Sequence, residues 1–236
     1  MKLNNTNLSD LHQTTKQIPQ ELYQKHFRRP NERPFYKDER SVTTLLLGGL
    51  SGIHDRLVAA SLCSLGLKVI PLPPTTLSSF ELGREYGNNG YCNPTYFTVG
   101  NLLGYLRKLE NSGISRQDII EKYAFIEIEY RMALKEAGYD GFRVLVFKKE
   151  GGISQSVRGL GIEINFPFIL AIVNAINVAD VLTGFTNITR PYETKPGQIN
   201  EVKERAVVAM ADLLRNKKKL SIHPIADRFF NLFGLK

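Results

Sequence analysis

The chain has 236 residues, 42% of them hydrophobic, and a formal net charge of +8, which is enough material to bury a core as one large domain or two small lobes. The excess positive charge gathers toward the ends, in Arg28, Arg29, Arg33 and Lys37 and in Lys217, Lys218 and Lys219, with no aromatic-interleaved basic helix, zinc-finger or RNA-binding signature between them. Solvated ends explain that pattern better than nucleic acid does, and with no uninterrupted apolar run of ~18 residues and no signal-peptide centre, the expectation is a cytoplasmic protein without a membrane partner.

Residues 1–36 read as a flexible polar arm, rich in Asn, Gln, Lys and Thr and broken by Pro19, Pro30 and Pro34, with one short helix near 20–27. The compact part, residues 37–216, begins with Val42-Thr43-Thr44-Leu45-Leu46-Leu47, an apolar run ending in Gly48-Gly49 as a buried parallel strand would. From Asp55 to Leu65 the apolar positions 58, 59, 62 and 65 form a helical stripe that Gly66 stops, and Lys68-Val69-Ile70-Pro71-Leu72 resumes as strand. This is a βαβ unit, the building block of an open, mostly parallel α/β sheet. The Gly48-Gly49-Leu50-Ser51-Gly52 turn lies where a phosphate could sit at a helix N-terminus, yet it matches neither a Walker loop nor Gly-x-Gly-x-x-Gly, and a tight strand-to-helix turn is the simpler role.

Residues 83–100 are rich in Gly, Asn and Tyr, a composition that suits a backbone held close to something and suits helix or strand poorly. Cys92 is therefore expected in a loop that leads into a helix carrying Leu102, Leu103, Leu106 and Leu109 on one face. Beyond it, the pattern predicts a short helix capped by Ser115, a strand at Tyr123-Ala124-Phe125-Ile126, a helix from Glu129 to Ala137 and a strand from Phe142 to Phe147. Phe166 to Leu182 is nearly unbroken apolar sequence with no charge until Asp180, as a buried helix would be. After the turn-rich connector 190–197, Glu201 to Asn216 reads as an amphipathic helix burying Val202, Ala206, Val207, Met210, Leu213 and Leu214. Residues 217–236 form a basic tail with a Phe-rich end, Phe229-Phe230-Asn231-Leu232-Phe233, that should dock on something.

Few residues offer chemistry. Cys63 and Cys92 are too few for a disulfide framework and are expected as reduced thiols, but Cys92 lies ahead of a helix whose dipole would favour the thiolate. The histidines do not pair with it at any recognised metal spacing. His54 and Asp55 stand at the carboxyl end of the first strand, where open α/β sheets place ligands, although Asp55 also suits a first helical turn for electrostatic reasons alone. Arg84 with Glu85, and Arg190 with Glu193, serve either as anion contacts or as local ion pairs that fix loops. Tyr86, Tyr91 and Tyr96 are pocket or packing residues.

Taken together, Phe35-Tyr36-Lys37-Asp38-Glu39-Arg40, Gly48-Gly49-Leu50 with His54-Asp55-Arg56-Leu57, Leu72-Pro73-Pro74, Gly83-Arg84-Glu85-Tyr86, Cys92-Asn93-Pro94-Thr95-Tyr96-Phe97-Thr98-Val99-Gly100-Asn101-Leu102 and Arg190-Pro191-Tyr192-Glu193 resemble, in order over residues 35–215, the later portion of the large activases of 2-hydroxyacyl-CoA dehydratases. The same region is similar to the dehydratase subunits. The resemblance implies α/β lobes of Rossmann-like or flavodoxin-like units around a cysteine-ligated iron–sulfur cluster, in a system that uses ATP to drive low-potential electrons into a CoA-thioester dehydratase. Cys92 matches the first ligand loop, with Asn93, Tyr96 and Gly100 beside it. The family's second cysteine loop is missing, because Phe125-Ile126-Glu127-Ile128-Glu129-Tyr130 passes directly from strand to helix, and one cysteine cannot hold a cluster that takes three or four thiolates. The expectation is an accessory or degenerate component whose missing ligands come from a partner, either the activase ATPase module or a dehydratase subunit as a separate chain, with a homo-oligomer the other assembly open to it. The alternative is a small-molecule or CoA-thioester enzyme with a pocket around His54, Asp55, Arg84, Glu85, Cys92 and Arg190.

Overall fold

A computed structural model of the protein describes residues 35–88, 90, 92–126, 131–145 and 161–216, all within one compact unit. Residues 1–34 of the expected arm 1–36, residues 127–130, the ends of the predicted Glu129 helix and Phe142 strand, residues 148–160 of the connection 148–165, and the C-terminal tail lie outside the described residues, while Phe35 at the end of the arm is buried in the first core.

Four short strands form one parallel sheet: β1 (Thr44–Leu47), β2 (Val69–Pro71), β3 (Tyr123–Ile126) and β4 (Arg143–Leu145), in spatial order β2-β1-β3-β4. The register sets Leu46 beside Ile70 on one side and beside Phe125 on the other. Pro71, which cannot donate to a ladder, ends the edge strand β2, where its missing N–H costs least. Alternating side chains point to opposite faces, so the Leu45 and Leu47 side chains meet one core and Leu46 the other. The same alternation places Ala124 and Ile126 in the first core and Phe125 in the second.

The first core is closed by α1 (Gly52–Ser64), α6 (Phe166–Thr189) and α7 (Gln198–Asn216). On the opposite face lie α3 (Asn93–Asn111), α4 (Arg116–Lys122) and α5 (Arg131–Glu136), with α2 (Leu77–Tyr86) packed along α3. Sheet and helices on both faces are thus an α/β architecture, as the βαβ reading predicts, and the four described strands share a single sheet. Local signals placed two of the element ends closely: Gly66 at φ 84° closes α1, and Ser115 accepts from the Asp118 N–H at 3.1 Å to start α4.

Three expectations need correction. Residues 83–100 are largely helical, since α2 reaches Tyr86 and α3 starts at Asn93, so the presumed cluster loop shrinks to the few residues between two helices. In α7 the buried stripe is Val207, Ala211 and Leu214, while Val202 and Leu213 are exposed. The third concerns α6, which buries only the Phe168, Ala171, Ala175, Ala179 and Thr186 face and leaves Phe166, Val173, Val181, Phe185 and Ile188 exposed. By length and composition the segment Phe166–Tyr192 would suffice to cross a membrane; in this fold its small-residue stripe lies against α1.

Candidate functional site

Why the glycine-rich stretch is helical follows from its packing. A Cβ on Gly100 would lie 1.7 Å from the Ser79 carbonyl oxygen, and one on Gly83 would lie 1.8 Å from that of Tyr96, so the two helices cross backbone to backbone. Gly83 and Gly100 are indeed held close to something, and it is the neighbouring helix rather than a ligand. The Tyr96 ring closes over Gly87, and its hydroxyl donates to the Asn88 carbonyl at 2.9 Å. Tyr86 accepts from Arg107 Nη2 at 2.7 Å, which makes it a packing anchor.

Cys92 stands at the N-cap of α3 with its side chain exposed. Its Sγ lies 3.1 Å from the Thr95 hydroxyl, and that hydroxyl, with the Thr95 N–H, holds the thiol below its ordinary pKa. Cys63 is on α1, its S–H directed at the Val69 carbonyl at 3.5 Å, so the two thiols belong to different elements. No group of three or more His, Cys, Asp and Glu side chains that could hold a metal ion occurs among the described residues. Taken alone, the described residues do not fit a cubane cluster, and Cys92 supplies one thiolate.

The arginines are engaged locally. The Arg84 guanidinium lies 6.0 Å from the Phe80 ring centre, and Glu85 beside it is exposed. Arg190 donates to Asn200 Oδ1 at 3.0 Å, while the Glu193 carboxylate accepts from the Ile199 N–H at 2.5 Å and so caps the start of α7. No bond in the structure joins Arg84, Cys92 or Arg190 to His54. A cavity of about 180 Å³ lined by Lys37, Arg40, Glu163, Asn165 and Phe168 is likewise internally satisfied: Lys37 pairs with Glu163 at 2.5 Å, and Arg40 Nε donates to the Gly161 carbonyl at 2.6 Å.

A cluster of polar groups follows β1. Gly48 is small because Leu72 closes on it, where a Cβ would meet the Leu72 Cδ1 at 2.9 Å, and Gly49 turns at φ 105°. The turn delivers Ser51 as N-cap of α1. Ser51 Oγ lies 2.5 Å from His54 Nδ1, and His54 Nε2 lies 2.9 Å from Asp180 Oδ1 on α6. With its proton on Nε2 the ring donates to Asp180 and accepts from the Ser51 hydroxyl. Asp55 beside it is 5% exposed, accepts from the Leu50 N–H at 3.2 Å, and has its pKa pushed up to about 6 by burial, against the opposing pull of that N–H and of His54. His54 and Asp55 therefore occupy the place the sequence predicts, at the carboxyl end of β1. Sequence reading missed Ser51 and Asp180, although a Ser-x-x-His at a helix start and the first charge in a long apolar segment were both visible.

Comparison with family models, with curated proteins and with solved structures finds no match to this chain.

Proposed function

We propose that this chain is a cytoplasmic accessory α/β domain of the 2-hydroxyacyl-CoA dehydratase and activase kind, which presents Cys92 to a partner chain that completes an iron–sulfur site. The observation that carries the reading is the placement of Cys92: an exposed thiol at the start of a 19-residue helix, with a neighbouring hydroxyl favouring the thiolate. A ligand shared between chains has to be at the surface and able to give up its proton, and Cys92 is exposed with its thiolate favoured by Thr95. The sheet order β2-β1-β3-β4, all parallel, supports the finer fold reading, because it is the order with which flavodoxin-like units begin. The ordered resemblance over residues 35–215 supplies the partner class, an activase ATPase module or a dehydratase subunit.

Anaerobic reconstitution with iron and sulfide tests the reading. The lone chain is expected to stay colourless, and a dehydratase-type partner is expected to give a cluster spectrum that Cys92→Ala weakens. A fully occupied cluster in the lone chain, lost in Cys92→Ala, would instead make this an electron-transfer protein in its own right.

A further inference from the structure

The geometry points to a second, separate activity: Ser51, His54 and Asp180 form a nucleophile, base and orienting acid for acyl transfer from small esters or thioesters. Three observations converge on it. The Ser51 hydroxyl is within 2.5 Å of one imidazole nitrogen, and the Asp180 carboxylate is within 2.9 Å of the other, so the ring is oriented by one partner to deprotonate the other. Ser51 is exposed, so an acyl carbon can reach Oγ, while the His54 side chain is only 19% exposed and is held on both sides. The site lies at the carboxyl end of β1, with β2 and β3 on either side of it, which is the switch point where the connections leave for opposite faces of the sheet.

The oxyanion would meet the first amides of α1. The N–H groups of Gly52 and Ile53 precede the first intrahelical acceptor and stand beside the nucleophile, the geometry that stabilises developing negative charge. Leu50, 55% exposed, and Pro74, 3.7 Å from the Cβ position of Gly52, supply an apolar rim for the acyl group.

The step balances without a cofactor. As Ser51 Oγ bonds to the acyl carbon, its proton passes to His54 Nδ1; the bond to the leaving oxygen or sulfur breaks, and the leaving group takes that proton. Water, deprotonated by His54, then attacks the acyl-serine, and the proton returns to Ser51 Oγ. Ser51 and His54 are the catalytic residues, and Asp180 is a positioning residue.

A fluorophosphonate probe on the full chain, followed by peptide mass mapping, is expected to give one adduct, on Ser51. His54→Gln should slow labelling by about 100-fold or more, the usual contribution of a general base. Because Ser51 also caps α1, the exposed Asp180 provides a variant that leaves the helix intact: Asp180→Asn should lower kcat for p-nitrophenyl acetate about 10-fold with KM unchanged, and Asp180→Glu should restore most of it. Absence of the Ser51 adduct, or labelling and kcat indifferent to His54 and Asp180, would overturn the assignment.

Discussion

At the level of single residues, the chemistry of the β1 edge is governed by burial. Asp55 is protonated more readily in the fold than in the unfolded chain, its pKa raised from 3.8 to about 6, so folding favours the neutral acid. Its contribution is fully present below pH 4 and is lost as pH rises through 6. Stability should therefore fall by about 1–2 kcal/mol between pH 4 and 7, and Asp55→Asn, which keeps the acceptor for the Leu50 N–H, should flatten that slope in urea melts at a series of pH values. Cys92 behaves in the opposite sense. Thr95→Val removes the hydroxyl that favours the thiolate and should slow iodoacetamide alkylation at pH 7 several-fold, with Cys63 reacting far more slowly in both proteins. His54 and Asp55 were legible as site candidates because strand, turn and helix start are local patterns. The link from His54 to Asp180 spans 126 positions, and no local pattern announces such a contact.

Between elements, the crossing of α2 on α3 determines what the glycines mean. Ala at Gly100 or Gly83 would drive a methyl into a carbonyl, and each substitution should cost about 3 kcal/mol or more. Gly104 lies on the same helix α3, yet its Cβ would meet only Leu82 Cδ2 at 3.8 Å, so Gly104→Ala should stabilise by about 0.5–1 kcal/mol through helix propensity. Chemical denaturation of the three variants checks the contrast, and equal costs would mean that close approach is not the reason for glycine. Propensity alone reads residues 83–100 as loop, since glycine is disfavoured in isolated helices. Tertiary packing reverses the preference, because only glycine permits this interhelical distance. The misjudged face of α7 has a related cause. Its apolar residues spread around the helix, and which of them are buried depends on where α1 lies.

Across the whole molecule, one sheet with a core on each face should unfold as a unit. Leu57→Ala in the first core and Leu106→Ala in the second should each cost about 2–5 kcal/mol. Circular dichroism and tyrosine fluorescence should still report coincident urea transitions in each variant. Separate transitions would indicate the two independent lobes that chain length alone allows.

By itself the sequence determined the parallel α/β architecture, the places of its four strands and the position of Cys92 before a helix, because periodicity, caps and glycine stops act over a few residues. Only the tertiary structure decided that the glycines serve a helix crossing, that the outer face of α6 is exposed, and that Ser51, His54 and Asp180 meet. Each of these depends on which distant surfaces the fold brings into contact, and a linear pattern carries no distance information of that kind.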